Sequence, residues 1–195
     1  MGQSTIKRNR SKQRRITRRK RRRAAPWAVG GAVLAAVVGL FWATAQGPGG
    51  ETVKVGARAP AFSLSTTAGR NLSLADLRGK NALLYFSEGV GCDPCFTQMA
   101  ELEQHQSHMD ELGITLVPLM TNPRETVARE ATRFGIKERI LIDESKQVSK
   151  AYDVLGRGHH ADLPGHSFIL VGGDGTVLWR RDYPAMYVKS FRSAR

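Results

Sequence analysis

Cysteine is nearly absent from this chain: its 195 residues include two, Cys92 and Cys95, and no others. A framework of several disulfides is thereby excluded, and so is a zinc site built from two cysteine pairs. Acidic residues are missing from the first twenty-three positions, which hold twelve Lys or Arg. That tail carries +12 of a net +13, so the high overall basicity says nothing about the partners of the remainder. Charge of either sign is missing from positions 24–45. Internal repeats are missing too, which excludes solenoid and propeller architectures.

The basic tail, 1–23, has a composition that neutralises phosphate. The stretch after it turns the reading from nucleic acid to membrane, and no nucleic-acid partner is expected. Positions 24–45 are twenty-two uncharged residues, and at about 1.5 Å per residue such a helix crosses a bilayer core of about 30 Å. Trp27 and Trp42 stand near its ends, where indoles favour the headgroup region. With every flanking charge on the N-terminal side, the positive-inside rule keeps the tail in the cytoplasm, against anionic lipid, and sends the rest outside. The competing reading is a cleaved signal peptide, since Ala43-Thr44-Ala45 has the small-x-small pattern of a cleavage site. The uncharged run exceeds the usual ~7–15 residues of a signal core, which favours a single-pass anchor in the cell membrane. Both readings export the remainder of the chain: a Gly-rich linker at 46–51, then a domain at 52–195, long enough for one hydrophobic core.

The exported part alternates strand-like and helix-like segments. A hairpin is expected from 61–65 and 71–74 around Ala68-Gly69, and a strand buried on both faces from 82–87. One helix is expected over 95–112, with Phe96, Met99, Leu102 and Met109 on its buried side and Gly113 at its end. A second buried strand is placed at 114–120, a helix at 123–134, a short strand at 140–142 and a short helix at 145–152. A closing hairpin, 167–171 with 177–181, turns across 172–175, and a last helix begins at Ala185. A βαβ unit followed by a hairpin gives a mixed central sheet with helices on both faces, an α/β fold.

Cys92 and Cys95 fall where the 82–87 strand gives way to a helix. The spacing lets one sulfur attack a partner and the other resolve the mixed disulfide. Cys92, at the helix N-terminus, meets unpaired N–H groups and the positive end of the helix dipole, which favour the thiolate. Cys95, a turn further in, is the resolving sulfur. Pro94 suits the first turn because the N–H it lacks would have no intrahelical partner. Asp93 acts in the opposite sense, since a carboxylate beside Cys92 disfavours the thiolate. The alternatives are a structural bridge, which would close almost no loop, and half of a zinc site.

From Val55 to Phe86 the chain resembles the opening of the redoxin superfamily, the alkyl hydroperoxide reductase/thiol-specific antioxidant branch of thioredoxin-like proteins. Gly56, Ala59-Pro60, Phe62, Leu64, Gly69, Leu77, Gly79-Lys80 and Phe86 carry that resemblance, and Cys92-Asp93-Pro94-Cys95 and Phe168 to Val171 with Gly175 continue it. The resemblance implies a thioredoxin-like fold, a redox-active Cys92–Cys95 disulfide and no cofactor. It also implies exported protein thiols and disulfides as partners, such as an apocytochrome c, and a membrane electron donor. The branch includes membrane-anchored thiol:disulfide interchange proteins and peroxidases. The P-x-x-x-T-x-x-C peroxidase signature is not met, because Gly89 stands three before Cys92 and Cys92 three before Cys95. The tryptophan usual before the dithiol of interchange proteins is replaced by Gly91, and the proline usual three before the hairpin phenylalanine by Gly165, with Pro164 one earlier. Pro164 or its neighbourhood is expected to face the dithiol, where a cis bond would offer backbone groups to a substrate strand.

Three further readings stay open. Copper-delivery proteins of thioredoxin-like fold use two cysteines and a histidine, and Cys92, Cys95 and His166 resemble that soft set, although those proteins place three residues between their cysteines. Otherwise His166 is a loop histidine without metal. Glu88 is either the proton acceptor that frees Cys95 during resolution or a solvated acid in a Gly-rich turn. His159-His160 read as a solvated pair and His105 with His108 as a surface pair, while nothing in the sequence brings Arg133 or Arg139 to Cys92.

Overall fold

The computed structural model describes residues 53–183. The basic tail, the uncharged stretch 24–45, the linker and the helix expected from Ala185 lie outside the described residues. Among the described residues, no helix is long and apolar enough to cross a membrane.

The chain enters through a hairpin, β1 (Ser63–Thr66) and β2 (Asn71–Ser73), whose turn is made by Gly69 at φ +78°. A capping box between Ser73 and Asp76 then starts a 3-10 turn, Leu74–Leu77, and drives both leucines inward. The central strand β3 (Asn81–Phe86) follows, then α1 (Asp93–Gln104), α2 (Gln106–Glu111) and β4 (Ile114–Met120). The remaining elements are α3 (Arg124–Arg133), β5 (Leu141–Ile142), α4 (Gln147–Ala151), β6 (His166–Val171) and β7 (Val177–Tyr183). They build one mixed sheet in the order β2-β1-β5-β4-β3-β6-β7. β4 runs parallel to β3 and β5, whereas β6 is antiparallel to β3 and β7.

Alternation along the strands divides the core in two. Leu84, Phe86, Val117, Leu119, Ile169 and Val171 face one side, where Phe62, Leu74, Leu77 and Tyr152 cover them. Tyr85, Leu116, Met120 and Phe168 face the other, under Phe96, Met99 and Leu102 of α1, Met109 of α2 and Val127 and Ala131 of α3. The expected α/β architecture is therefore present. β3, covered on both faces, has the near-continuous apolar character its sequence showed.

One expected element is divided. The helix read over 95–112 breaks at His105, which leaves the helical region at ψ 17° and donates its N–H to Leu102 O. Between Leu102 and Met109 the sequence offers six polar residues and no apolar anchor, so packing gives that turn no reason to stay straight. Glu103 adds a competing tie, accepting the backbone N–H groups of Lys137 and Glu138.

β5 is two residues long and meets β4 only at Leu119 and Met120. Among the described residues the first half of β4 thus has no strand partner on that side, and a cavity of about 340 Å³ lined by Arg70, Thr115 and Arg139 lies beside it. Pro118, inside a seven-stranded sheet, sits in β4 just before β5 begins.

Candidate active site

Phe86 ends β3, and Ser87 to Gly91 turn the chain into α1. Gly89 and Gly91 hold positive φ of +84° and +99°, and the turn is fixed by Val90 N–H on Asn122 Oδ1, 3.0 Å, and Cys92 N–H on Gly89 O, 3.0 Å. Cys92 occupies the N-cap of α1 and Pro94 its first turn. The two cysteines are joined in a disulfide. Cys92 is partly exposed and Cys95 fully buried, the asymmetry expected of an attacking and a resolving sulfur. The Tyr85 hydroxyl donates to Cys95 O at 3.3 Å, and burial pushes that phenol's pKa up, so it stays a donor.

Asp93 is held by Arg133, 2.6 Å from the end of α3. Arg133 also pairs with Glu130 and lies over the Phe134 ring, and the two carboxylates hold its proton more tightly than usual. Arg133 thus stands beside the dithiol through Asp93, while Arg139 lines the cavity along β4.

His166 opens β6, paired across the sheet with Tyr183, and is 1% exposed. Its Nε2 lies 3.7 Å from Cys92 Sγ. Its Nδ1 is buried, with the Tyr183 backbone beside it but no hydrogen bond of good geometry. Burial lowers the imidazole's pKa, partly offset by the charge of Glu88. Glu88 is not solvated: 6% exposed, it accepts the His159 backbone N–H at 2.7 Å, with the His159 ring 3.7 Å away. Its contacts run to the 155–165 loop, not to Cys95. His159 itself is exposed, its ring centroid 6.2 Å from that of His166, so the pair read as solvated contributes one ring to the site.

Pro164 is buried in a bridge with Leu155, and the peptide bond before it is trans, as are all those described. The residue that reaches the dithiol from this segment is His166, two positions on. Gly165 explains why the usual proline is absent. Its N–H donates to Val154 O at 2.8 Å, and a Cβ there would lie 2.5 Å from the Arg157 carbonyl carbon. Sequence reasoning missed Asn122, the Asp93–Arg133 pair and the docking of the 155–165 loop on Glu88, all contacts between distant positions with no local spacing to announce them.

In the reduced protein Cys92, Cys95 and His166 would offer two sulfur donors and one nitrogen within 4.8 Å of one another. With the sulfurs joined, neither is a thiolate ligand.

A disulfide between cysteines three positions apart, at a helix N-terminus following an interior strand of a mixed sheet, now stands in a chain whose residues 55–180 match the AhpC/TSA family. The chain belongs to that family. It is similar to thiol-disulfide oxidoreductase ResA of Bacillus subtilis, 28% identical over 123 residues, 63% of this chain and 68% of that protein. It is similar also to a putative peroxiredoxin bcp of Haemophilus influenzae, 28% identical over 130 residues, 65% of this chain and 84% of that one. Among solved structures, the peroxidoxin BcpB of Mycobacterium tuberculosis superposes with a TM-score of 0.60 at 18% identity, over 67% of this chain and 86% of that one, which shows the shared thioredoxin-like fold. As an AhpC/TSA protein with a redox-capable cysteine pair, the chain is an oxidoreductase.

Proposed function

We propose that this AhpC/TSA protein is a membrane-anchored thiol-disulfide oxidoreductase that exchanges its Cys92–Cys95 pair with disulfides of exported proteins. The observation that carries the reading is the pairing of a partly exposed sulfur at the N-cap of α1 with a fully buried one a turn away. Cys92 attacks a substrate disulfide, Cys95 displaces the substrate from Cys92, and the resulting disulfide returns to the dithiol by accepting two electrons and two protons from a donor dithiol at the membrane. The uncharged stretch 24–45 supports the anchor and the basic tail its orientation. The full chain is therefore expected in the membrane fraction after alkaline carbonate washing. Release by that wash would remove the anchor.

Peroxide reduction is the neighbouring reaction, and the absence of Thr or Pro at the signature positions before Cys92 and Cys95 weighs against it. The deciding measurement takes the reduced full chain in mild detergent and follows its oxidation by hydrogen peroxide and by a protein disulfide in parallel. Fast exchange with slow peroxide reaction supports the proposal. The reverse makes the protein a peroxidase. Copper handling is tested on the same preparation: His166→Ala retaining undiminished copper affinity removes the three-donor set, and slow reaction with both oxidants moves that set forward.

A further inference from the structure

We propose that His166 is the base and acid of the exchange reaction, its Nε2 taking the Cys92 thiol proton while buried Glu88 acts as the positioning residue that stabilises the imidazolium. The inference deepens the dithiol-exchange reading and rests on it.

The helix N-terminus favours a thiolate at Cys92, but Asp93 opposes it, and Arg133 only partly screens that carboxylate at an exposed surface. A specific partner for the sulfur is therefore worth having, and one is present. His166 is buried, its Nε2 points at Sγ across 3.7 Å, and its other nitrogen faces the Tyr183 backbone.

The groups facing this ring come from four elements. Cys92 and Cys95 face it from α1, Glu88 from the turn after β3, His159 from the 155–165 loop and the Tyr183 backbone from β7. Glu88 is the one negative charge among them. It favours the protonated ring, whereas His159 disfavours it. Glu88 is in turn fixed by the His159 N–H and by Gly158, where a Cβ would lie 2.5 Å from Oε1. The imidazole and the nucleophilic sulfur are thus within reach of each other, while Glu88 makes no hydrogen bond to the ring and acts on it through space, held against His159, whose ring centroid lies 6.2 Å from that of His166.

The proton and electron count closes. Nε2 takes the Cys92 proton, and the thiolate attacks one sulfur of a substrate disulfide. A bond forms from Cys92 to that sulfur, the substrate S–S bond breaks, and the departing thiolate takes the proton from Nε2. Cys95, whose sulfur lies within 4.8 Å of the same ring, then gives its proton to Nε2 and attacks Cys92. The mixed disulfide breaks, and the second substrate thiolate leaves with that proton. Two electrons pass from the dithiol to the substrate, which leaves as two thiols.

The test uses the full chain carrying Cys95→Ser, in which Cys92 is the remaining thiol. Its alkylation by iodoacetamide is followed from pH 5 to 9. The expected midpoint lies well below the ~8.5 of a free thiol. At pH 6.5, adding His166→Gln should slow alkylation at least tenfold, and adding Glu88→Gln by a smaller factor of about three. Superposable pH profiles with and without His166 overturn the proposal. Should His166→Gln fail to fold, the parent answers by NMR: the His166 ring resonance must titrate with the alkylation midpoint and shift when Cys92 is alkylated, and a ring indifferent to the thiol overturns the proposal equally. Alkylation needs no physiological substrate. Slow exchange with protein disulfides beside an intact alkylation shift would sink the exchange reading alone.

Discussion

Gly165 shows how one residue without a side chain sets the shape of this site. Its backbone packs against Arg157 and donates to Val154, so the 155–165 loop folds back on the chain just before His166. Restoring the proline usual at this point should destabilise the protein by roughly 2–5 kcal/mol, the sum of a main-chain clash and a carbonyl left without its donor. Urea unfolding of Gly165→Pro reads it directly, and an unchanged midpoint would show that the loop is free to move. His166 supplies a second prediction. In the oxidised protein, burial holds its pKa below the ordinary 6.5, so the unfolded chain binds more protons between those two values and stability rises with pH there. Acidifying from pH 7.5 should therefore lower the urea midpoint as the pH passes below about 6.5, before the carboxylates titrate, and His166→Gln should flatten that slope. The cysteine spacing made the dithiol legible in the sequence. The neighbours of Cys92 were not, because His166 lies 74 positions away and only the antiparallel pairing of β6 with β3 brings it to the end of that strand.

At the level of elements, residues 152–153, which lead into the 155–165 loop, are stapled to the edge strand β7 by Arg180. Its side chain is 8% exposed, and its guanidinium donates to Tyr152 O and Asp153 O, both at 2.8 Å, and pairs with Asp182 at 3.0 Å. Arg157 joins the group through Asp153. Arg180→Ala should cost about 2–4 kcal/mol, since it strands two carbonyls and a carboxylate together. It should also slow exchange with protein disulfides by loosening the support of Glu88. A variant that loses stability but keeps its exchange rate would separate the staple from the site. Strand and helix identities were readable because β3, β4 and β6 are apolar on both faces and α1 repeats its apolar residues at helical spacing. The break at His105 was not readable, since Leu102 and Met109 are also compatible with one straight helix; it reflects local ties such as that of Glu103 rather than period.

For the whole molecule, the dithiol lies at the surface of a finished core rather than holding that core together. Cys92 and Cys95 are three positions apart, so the loop they close is tiny and reduction should lower stability by only about 2 kcal/mol or less. Unfolding of the oxidised and reduced forms side by side checks this, and a loss above about 4 kcal/mol would mark the bridge as structural. The sheet itself carries a hazard that the fold has dealt with. Because β5 is so short, the first half of β4 has no strand beside it on that side among the described residues, only the cavity walled by Arg70, Asn71, Glu138 and Arg139, and a strand entering there would find a ladder to extend. Pro118 brings no N–H to that stretch. Where a strand from another copy met β4 here, the proline would interrupt the ladder along which copies polymerise.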